Sequence, residues 1–83
     1  MKKYLVSVYL PAAGRHLDVF LPSGKRIAEV IHLLVKVAES LTGGSYKGTQ
    51  DAMLLNAESG VPYPLTHTVE EVGIRNATAL ILI

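Results

Sequence analysis

The sequence lacks cysteine altogether, and charged residues make up only 18% of its 83 positions. Without cysteine there is no disulfide framework, no thiolate metal site and no thiol nucleophile. Eight Lys and Arg side chains stand against seven acidic ones, so no strong positive field favours a nucleic-acid partner. The three histidines, His16, His32 and His67, show none of the spacings of metal ligands. The sequence therefore predicts no metal and no cofactor.

Long hydrophobic runs are missing as well. The longest apolar run is residues 79–83, whereas a membrane-spanning helix needs about 18 or more apolar residues. We therefore predict that the chain does not insert into a membrane. The absence of cysteine fits a reducing compartment, and we expect a cytoplasmic protein.

Apolar residues, in contrast, are in excess. They make up 49% of the chain, and the mean hydropathy is +0.33. The length predicts a single domain over residues 1–83, and so small a domain buries only roughly 60–65% of its unfolded surface. Soluble domains carry about 25% charged residues on average. Some apolar side chains are therefore expected at the surface, where they would form an interface.

The spacing of the apolar residues predicts the order β-β-α-β-β-short helix-β. Residues 3–10 and 17–21 are predicted as the two strands of a hairpin. Residues 26–41 carry a helical apolar stripe: Ile27, Val30, Ile31, Leu34, Val37, Ala38 and Leu41. Further strands are predicted at 52–55 and 78–83, with an edge strand or turn at 61–65. Thr68 and Glu71 have capping-box spacing, which predicts a short helical turn ended by Gly73.

These elements predict an α+β fold, the β-grasp. It consists of a mixed sheet of four to five strands with one main helix packed on one face and a short helical turn before the last strand. The strongly apolar last strand is expected in the centre, beside the first. The loop at 43–51 contains Gly, Lys and Thr, but their order and the preceding helix differ from a phosphate-binding loop. We predict a helix stop and a flexible loop there.

Ser7, His16 and Asp18 are expected on one face of the hairpin. His16 and Asp18 are neighbours at i, i+2, but a Ser-His-Asp site also needs a pocket and an oxyanion hole. A flat sheet offers neither. We therefore predict no catalytic residues and no enzyme; a hydrolase that uses His16 is kept as an alternative.

Residues 17–23, followed by Ile27 and Val30, resemble the second strand and helix start of ubiquitin-like domains. Residues 68–74, followed by Leu80 and Leu82, resemble their short helix and last strand. Over residues 3–83 the sequence is similar to the small bacterial YukD-like proteins of type VII secretion loci. In those proteins a comparable Val-Gly-Ile-Arg-Asn turn precedes a terminal apolar strand.

This resemblance implies a ubiquitin fold and a non-enzymatic accessory role in an export machine, with components of that machine as protein partners. Ubiquitin and its sulfur-carrier relatives end in a tail that closes with Gly-Gly. The present sequence stops at Ile83, within the predicted last strand, so we expect neither a covalent modifier nor a sulfur carrier. A carrier or modifier whose C-terminal tail is absent from this sequence remains the alternative.

Strand alternation predicts where the apolar surplus lies. One set is expected on the helix-covered face: Tyr4, Val6, Val8, Leu10, Leu17, Val19, Leu21, Leu80 and Leu82. In the third strand, Leu54 is expected to point outward and Met53 and Leu55 inward. The opposite face would then carry a contiguous apolar band for docking proteins: Leu5, Tyr9, Phe20, Leu54, Ile81 and Ile83. Whether the partner is a second copy, giving a twofold dimer, or another protein stays open.

Overall fold

The computed structural model describes residues 2–44, 46 and 51–83. Its elements are β1 (Lys3–Leu10), β2 (Arg15–Pro22), α1 (Ile27–Leu41), β3 (Leu54–Asn56) and β4 (Ala79–Leu82). The strand order is β2-β1-β4-β3, with β1 and β4 parallel and the other pairs antiparallel. This mixed four-stranded sheet with one helix confirms the predicted β-grasp.

One predicted segment differs from the structure, and another lies mostly outside the described residues. The segment at 61–65 contributes a single bridge, between Leu55 and Pro62, instead of a strand. Most of the loop compared with a phosphate-binding loop, residues 45 and 47–50, lies outside the described residues. In the ranges that are described, no helix is both long and apolar enough to cross a membrane.

The face of the sheet that α1 covers carries the core. The even-numbered side chains of β1 are all buried, because alternate residues of a strand point to the same face. They pack with buried residues of α1 and of the other strands. The largest fully buried side chains are Val6, Val8, Leu10, Ile27, Val30, Leu34, Leu54, Val69, Ile74, Leu80 and Leu82. The predicted helix-covered face of β1 and β4 is thereby confirmed.

The helix α1 ends at a pair of glycines, as predicted. Gly43 and Gly44 have positive φ angles of 61° and 94°. The Gly44 amide donates to the Glu39 carbonyl at 3.2 Å, a Schellman-type closure that favours glycine. The buried stripe is narrower than predicted, since Val37 and Leu41 are exposed. In the last two turns the buried side chains are Leu34 and Ala38, and Val35 is partly buried against the core.

Residues 68–74 form the single helical turn that was predicted, in which the Val72 amide donates to the Thr68 carbonyl at 3.1 Å. The Thr68 amide donates to Oε1 of Glu71 at 2.8 Å, and the Glu71 amide donates to Oγ1 of Thr68 at 3.2 Å, which is the predicted capping box. Hydrogen bonding from Thr68, first through its backbone amide, holds the pKa of Glu71 below its ordinary value. The turn buries Val69 and Ile74 beneath the sheet.

The predicted orientation of the third strand is wrong. Leu54 pairs with Leu82 in the antiparallel ladder, and residues directly opposite each other point to the same face. Leu82 lies in the core, so Leu54 lies there too, with 1% of its surface exposed. Met53 and Leu55 therefore point to the face that α1 does not cover.

Candidate protein-interaction surface

The side of the sheet opposite α1, called the open face below, is built from alternate residues of four strands. Odd-numbered residues of β1 point to it; each has a neighbour in β2, and Ser7 and Tyr9 also have one in β4. In one row across the sheet, Tyr9 lies between His16 of β2 and Ile81 of β4. Ile81 in turn pairs with Leu55 of β3. This row is apolar over three of its four strands.

Apolar residues continue beyond this row at the end of β4. The Met53 amide donates to the Ile83 carbonyl at 2.8 Å, and the Ile83 amide donates back to the Met53 carbonyl at 3.0 Å. By the same pairing their side chains share the open face with Leu55 and Ile81. Met53 and Ile83 are 42% and 48% exposed. We call Tyr9, Met53, Leu55, Ile81 and Ile83 the Ile81 cluster.

A second apolar site lies at the other end of the β1–β2 hairpin. Leu5 pairs with Phe20, and the two side chains are 43% and 60% exposed. We call them the Phe20 pair. Because consecutive residues of a strand are about 3.4 Å apart, Leu5 and Tyr9 are separated by about 14 Å along β1.

A polar row separates the two apolar sites. Ser7 lies midway between Leu5 and Tyr9 and pairs with Asp18 on one side and Ala79 on the other. The predicted contiguous band is therefore divided into two sites. Leu54 is not part of either site, because it lies in the core.

Met53 and Leu55 take the place that was predicted for Leu54, and the sequence prediction missed them on this face. The run Met53-Leu54-Leu55 has three consecutive apolar residues, so no alternation marks its inner and outer side chains. Only the pairing with β4 assigns them. Strand alternation places Ile81 and Ile83 on the open face, and these residues pair with Leu55 and Met53. This gave a weak indication from the sequence that Met53 and Leu55 also point outward.

The three residues considered for a catalytic triad do not form one. His16 packs against Tyr9, with ring centroids 4.6 Å apart and planes tilted by 39°, while Ser7 lies opposite Asp18. No hydrogen bond joins Ser7, His16 and Asp18 in the described part of the chain. In the same residues no group of three His, Cys, Asp or Glu side chains could hold a metal ion.

The end of β1 near the Phe20 pair is fixed by contacts to the segment before β4. The Leu5 amide donates to Oδ1 of Asn76 at 2.9 Å, and the Ala77 amide donates to the Leu5 carbonyl at 2.8 Å. On the core side, the Tyr4 hydroxyl donates to Oε1 of Glu70 at 2.9 Å. Burial and this bond to Glu70 raise the pKa of Tyr4. These contacts hold Leu5 in place on the open face.

No protein-family model matches the sequence, and no curated protein matches it either. Among solved structures, the EccD5 ubiquitin-like domain from Mycobacterium xenopi is similar with a TM-score of 0.85 and 19% identity, over 100% of this chain and 94% of that chain. The ubiquitin-like domain of the Mycobacterium tuberculosis type VII secretion system protein ECCD1 has a TM-score of 0.77 and 16% identity, over 100% and 99% of the two chains.

A third similar structure is a chain of the MycP5-free ESX-5 inner membrane complex, with a TM-score of 0.81 and 17% identity. The match includes 100% of the present 83-residue chain but only 21% of the larger chain in the complex. Identities this low establish the fold alone. The chain thus has the ubiquitin-like β-grasp fold, and its structural neighbours include the ubiquitin-like domains of type VII secretion proteins.

Proposed function

We propose that residues 1–83 form one ubiquitin-like domain that serves as a non-enzymatic adaptor of a type VII-like secretion system, docking onto other proteins through its open face. Its fold is that of ubiquitin-like domains described in mycobacterial type VII secretion proteins. One of the similar structures is a chain of an inner membrane complex. The resemblance of the sequence to the YukD-like proteins supports the same assignment.

The proposed docking mode is based on the two exposed apolar sites of the open face. A sheet with one solvated face ordinarily alternates apolar residues inside with polar residues outside. The Ile81 cluster and the Phe20 pair depart from that pattern, since they place large apolar side chains outside as well as inside. Grouped exposed apolar residues on a soluble domain mark an interaction site.

The partners proposed are proteins, foremost components of the secretion machine, met on the cytoplasmic side of the membrane. A partner that contacts both apolar sites must cross the polar row between them. That row presents the carboxylate of Asp18, which forms no ion pair within the described residues. We therefore expect the partner to place a basic or hydrogen-bonding group there, between two apolar contacts about 14 Å apart.

The test compares two open-face variants with a matched helix variant. Phe20→Asp and Ile81→Asp place a carboxylate in each apolar site, and Leu33→Asp makes the same change on α1, at a side chain that is 45% exposed. Tagged proteins are produced in the native host, crosslinked chemically, and their partners identified by mass spectrometry. We expect secretion-machine components with the wild type and with Leu33→Asp, and roughly tenfold or greater loss with either open-face variant, as for hot-spot residues.

Circular dichroism melting confirms that each variant is folded before its partners are compared. Equal association of all three variants would contradict docking through the open face. A wild-type partner set without any secretion component would contradict the secretion role. The two outcomes are separate, so the docking surface and the biological system are tested independently.

A further inference from the structure

The two edges of the sheet differ in how they are covered. At β3 the following segment of the chain pairs with the edge: the Asn56 amide donates to the Val61 carbonyl at 3.1 Å, and the Tyr63 amide donates to the Leu54 carbonyl at 3.0 Å. At the other edge, β2 runs for eight residues. Nothing in the described part of the chain pairs with its outer side. An uncovered edge strand is a template for another strand.

The hydrogen-bond pattern identifies the free backbone groups of β2. The Ser23 amide donates to the Lys2 carbonyl at 2.9 Å, so alternation along the antiparallel ladder directs the odd-numbered residues of β2 to β1. His16, Asp18 and Phe20 therefore direct their N–H and C=O groups outward. Outside the strand ladder, no hydrogen bond to these groups is found among the described residues.

We propose that this edge pairs with β2 of a second copy of the chain, antiparallel about a twofold axis, with His16 of each copy opposite Asp18 of the other. The axis would pass between the two Leu17 residues. Such an interface is self-complementary, as a twofold contact must be. Because the axis is perpendicular to the sheet, both open faces remain uncovered. The inference rests on the uncovered edge and not on the docking proposed above, although both proposals use the carboxylate of Asp18.

The side chains of β2 favour this register over the two that are centred one and two residues further along the strand. Centring the pair on Asp18 would set two carboxylates directly opposite each other, which is destabilising. Centring it on Val19 would set Asp18 opposite Phe20 and His16 opposite Pro22, which has no N–H to donate. Centring it on Leu17 sets an imidazole opposite a carboxylate twice and brings the two half-buried Leu17 side chains together.

The groups around His16 are compatible with this pairing. From β1 the ring of Tyr9 packs against it, and along β2 its neighbour on the same face is Asp18. In the dimer, each His16 would have Asp18 of its own strand beside it and Asp18 of the other copy opposite it. The two His16 side chains would lie diagonally across from each other, as would the two Asp18 side chains. Phe20 would lie opposite Gly14, whose φ of 60° takes it out of the extended strand, so the Phe20 amide stays free.

Sedimentation equilibrium with charge variants tests the interface. His16→Asp places two carboxylates opposite each other, and Asp18→Lys replaces the carboxylate that faces the imidazole by an ammonium group; we expect each to weaken dimerisation by roughly tenfold or more. The double variant with both changes restores unlike charges in the same register and should recover the dimer. His16→Lys, with a permanent positive charge opposite Asp18, should dimerise more tightly than the wild type.

Amide hydrogen exchange tests the register. As the protein concentration rises, the amides of His16 and Asp18 should become protected while that of Phe20 stays exchangeable. Protection of all three amides would overturn the register, because it is expected for centring on Asp18 or on Val19 but not on Leu17. Monomers up to about 1 mM for both the wild type and His16→Lys would overturn the proposal, since 1 mM corresponds to a very weak interaction. A dimer unaffected by the charge variants but lost in Ile81→Asp would also overturn it, and would place the contact on the open face.

Discussion

Leu54 lies directly opposite Leu82 in the antiparallel ladder between β3 and β4, and both side chains are fully buried. The next pair along the ladder, Leu55 and Ile81, faces the open side of the sheet. A shift of one residue in this register would exchange the two faces. The pairing of β3 with β4 therefore decides which leucine stabilises the core and which is available to a partner.

Alanine substitutions distinguish the two leucines. Leu54→Ala leaves a cavity in the core, and we expect it to lower the free energy of unfolding by about 2–5 kcal/mol. Leu55→Ala removes a partly exposed side chain and is expected to cost less than about 1 kcal/mol. Urea denaturation measures both values. A larger loss for Leu55→Ala than for Leu54→Ala would contradict the register of β3.

The end of α1 offers a test of backbone conformation. Gly43 has a φ of 61°, and a Cβ added there would meet nothing within 4 Å. Any destabilisation by Gly43→Ala therefore comes from the left-handed backbone, and we expect it to be about 1–2 kcal/mol. Gly24 also has open space but no left-handed φ, so Gly24→Ala is the matched control, expected within about 0.5 kcal/mol of the wild type. Equal thermal stability of the two variants would contradict the Schellman closure.

The capping box makes part of the stability depend on pH. The pKa of Glu71 is lowered in the folded chain by its bonds from Thr68, so the ionised carboxylate stabilises the fold at pH values above the unfolded pKa of about 4.3. This contribution is lost as the pH falls through the lower folded pKa. The wild type should therefore exceed Glu71→Gln in free energy of unfolding at neutral pH, and the difference should shrink below about pH 4. Denaturant unfolding of both proteins between acidic and neutral pH measures this difference in the free energy of unfolding. A difference that grows as the pH falls would contradict the stabilising role of the ionised Glu71.

Much of the fold could be predicted because two segments have clear periods. β1 is rich in Tyr, Val and Leu, which favour strands, and its buried side chains fall at every second position, whereas α1 repeats its apolar residues at helical spacing. Each pattern matches one type of element and one buried side. Val37 and Leu41 also fit the helical spacing, but the core does not extend far enough to cover them. The sequence alone therefore overestimates the width of the buried stripe.

The candidate site was predicted only in part, for a related reason. Strand parity places Leu5, Tyr9, Phe20 and Ile81 on the open face without knowledge of the pairing. Their division into two sites depends on the register of β1 against β2 and β4, which sets Asp18 and Ala79 beside Ser7. Register is a property of paired strands, so no single segment of the sequence contains it.

The central claim is that the open face contacts components of a secretion machine, and site-specific photo-crosslinking tests it most directly. A photoreactive phenylalanine analogue is placed at Phe20 in one protein and at Leu33, on α1, in another, and both are irradiated in the native host. We predict that the probe at position 20 crosslinks to a membrane component of a type VII-like secretion system and that the probe at position 33 does not. Crosslinks to such a component from position 33 alone, or none from position 20, would contradict the account.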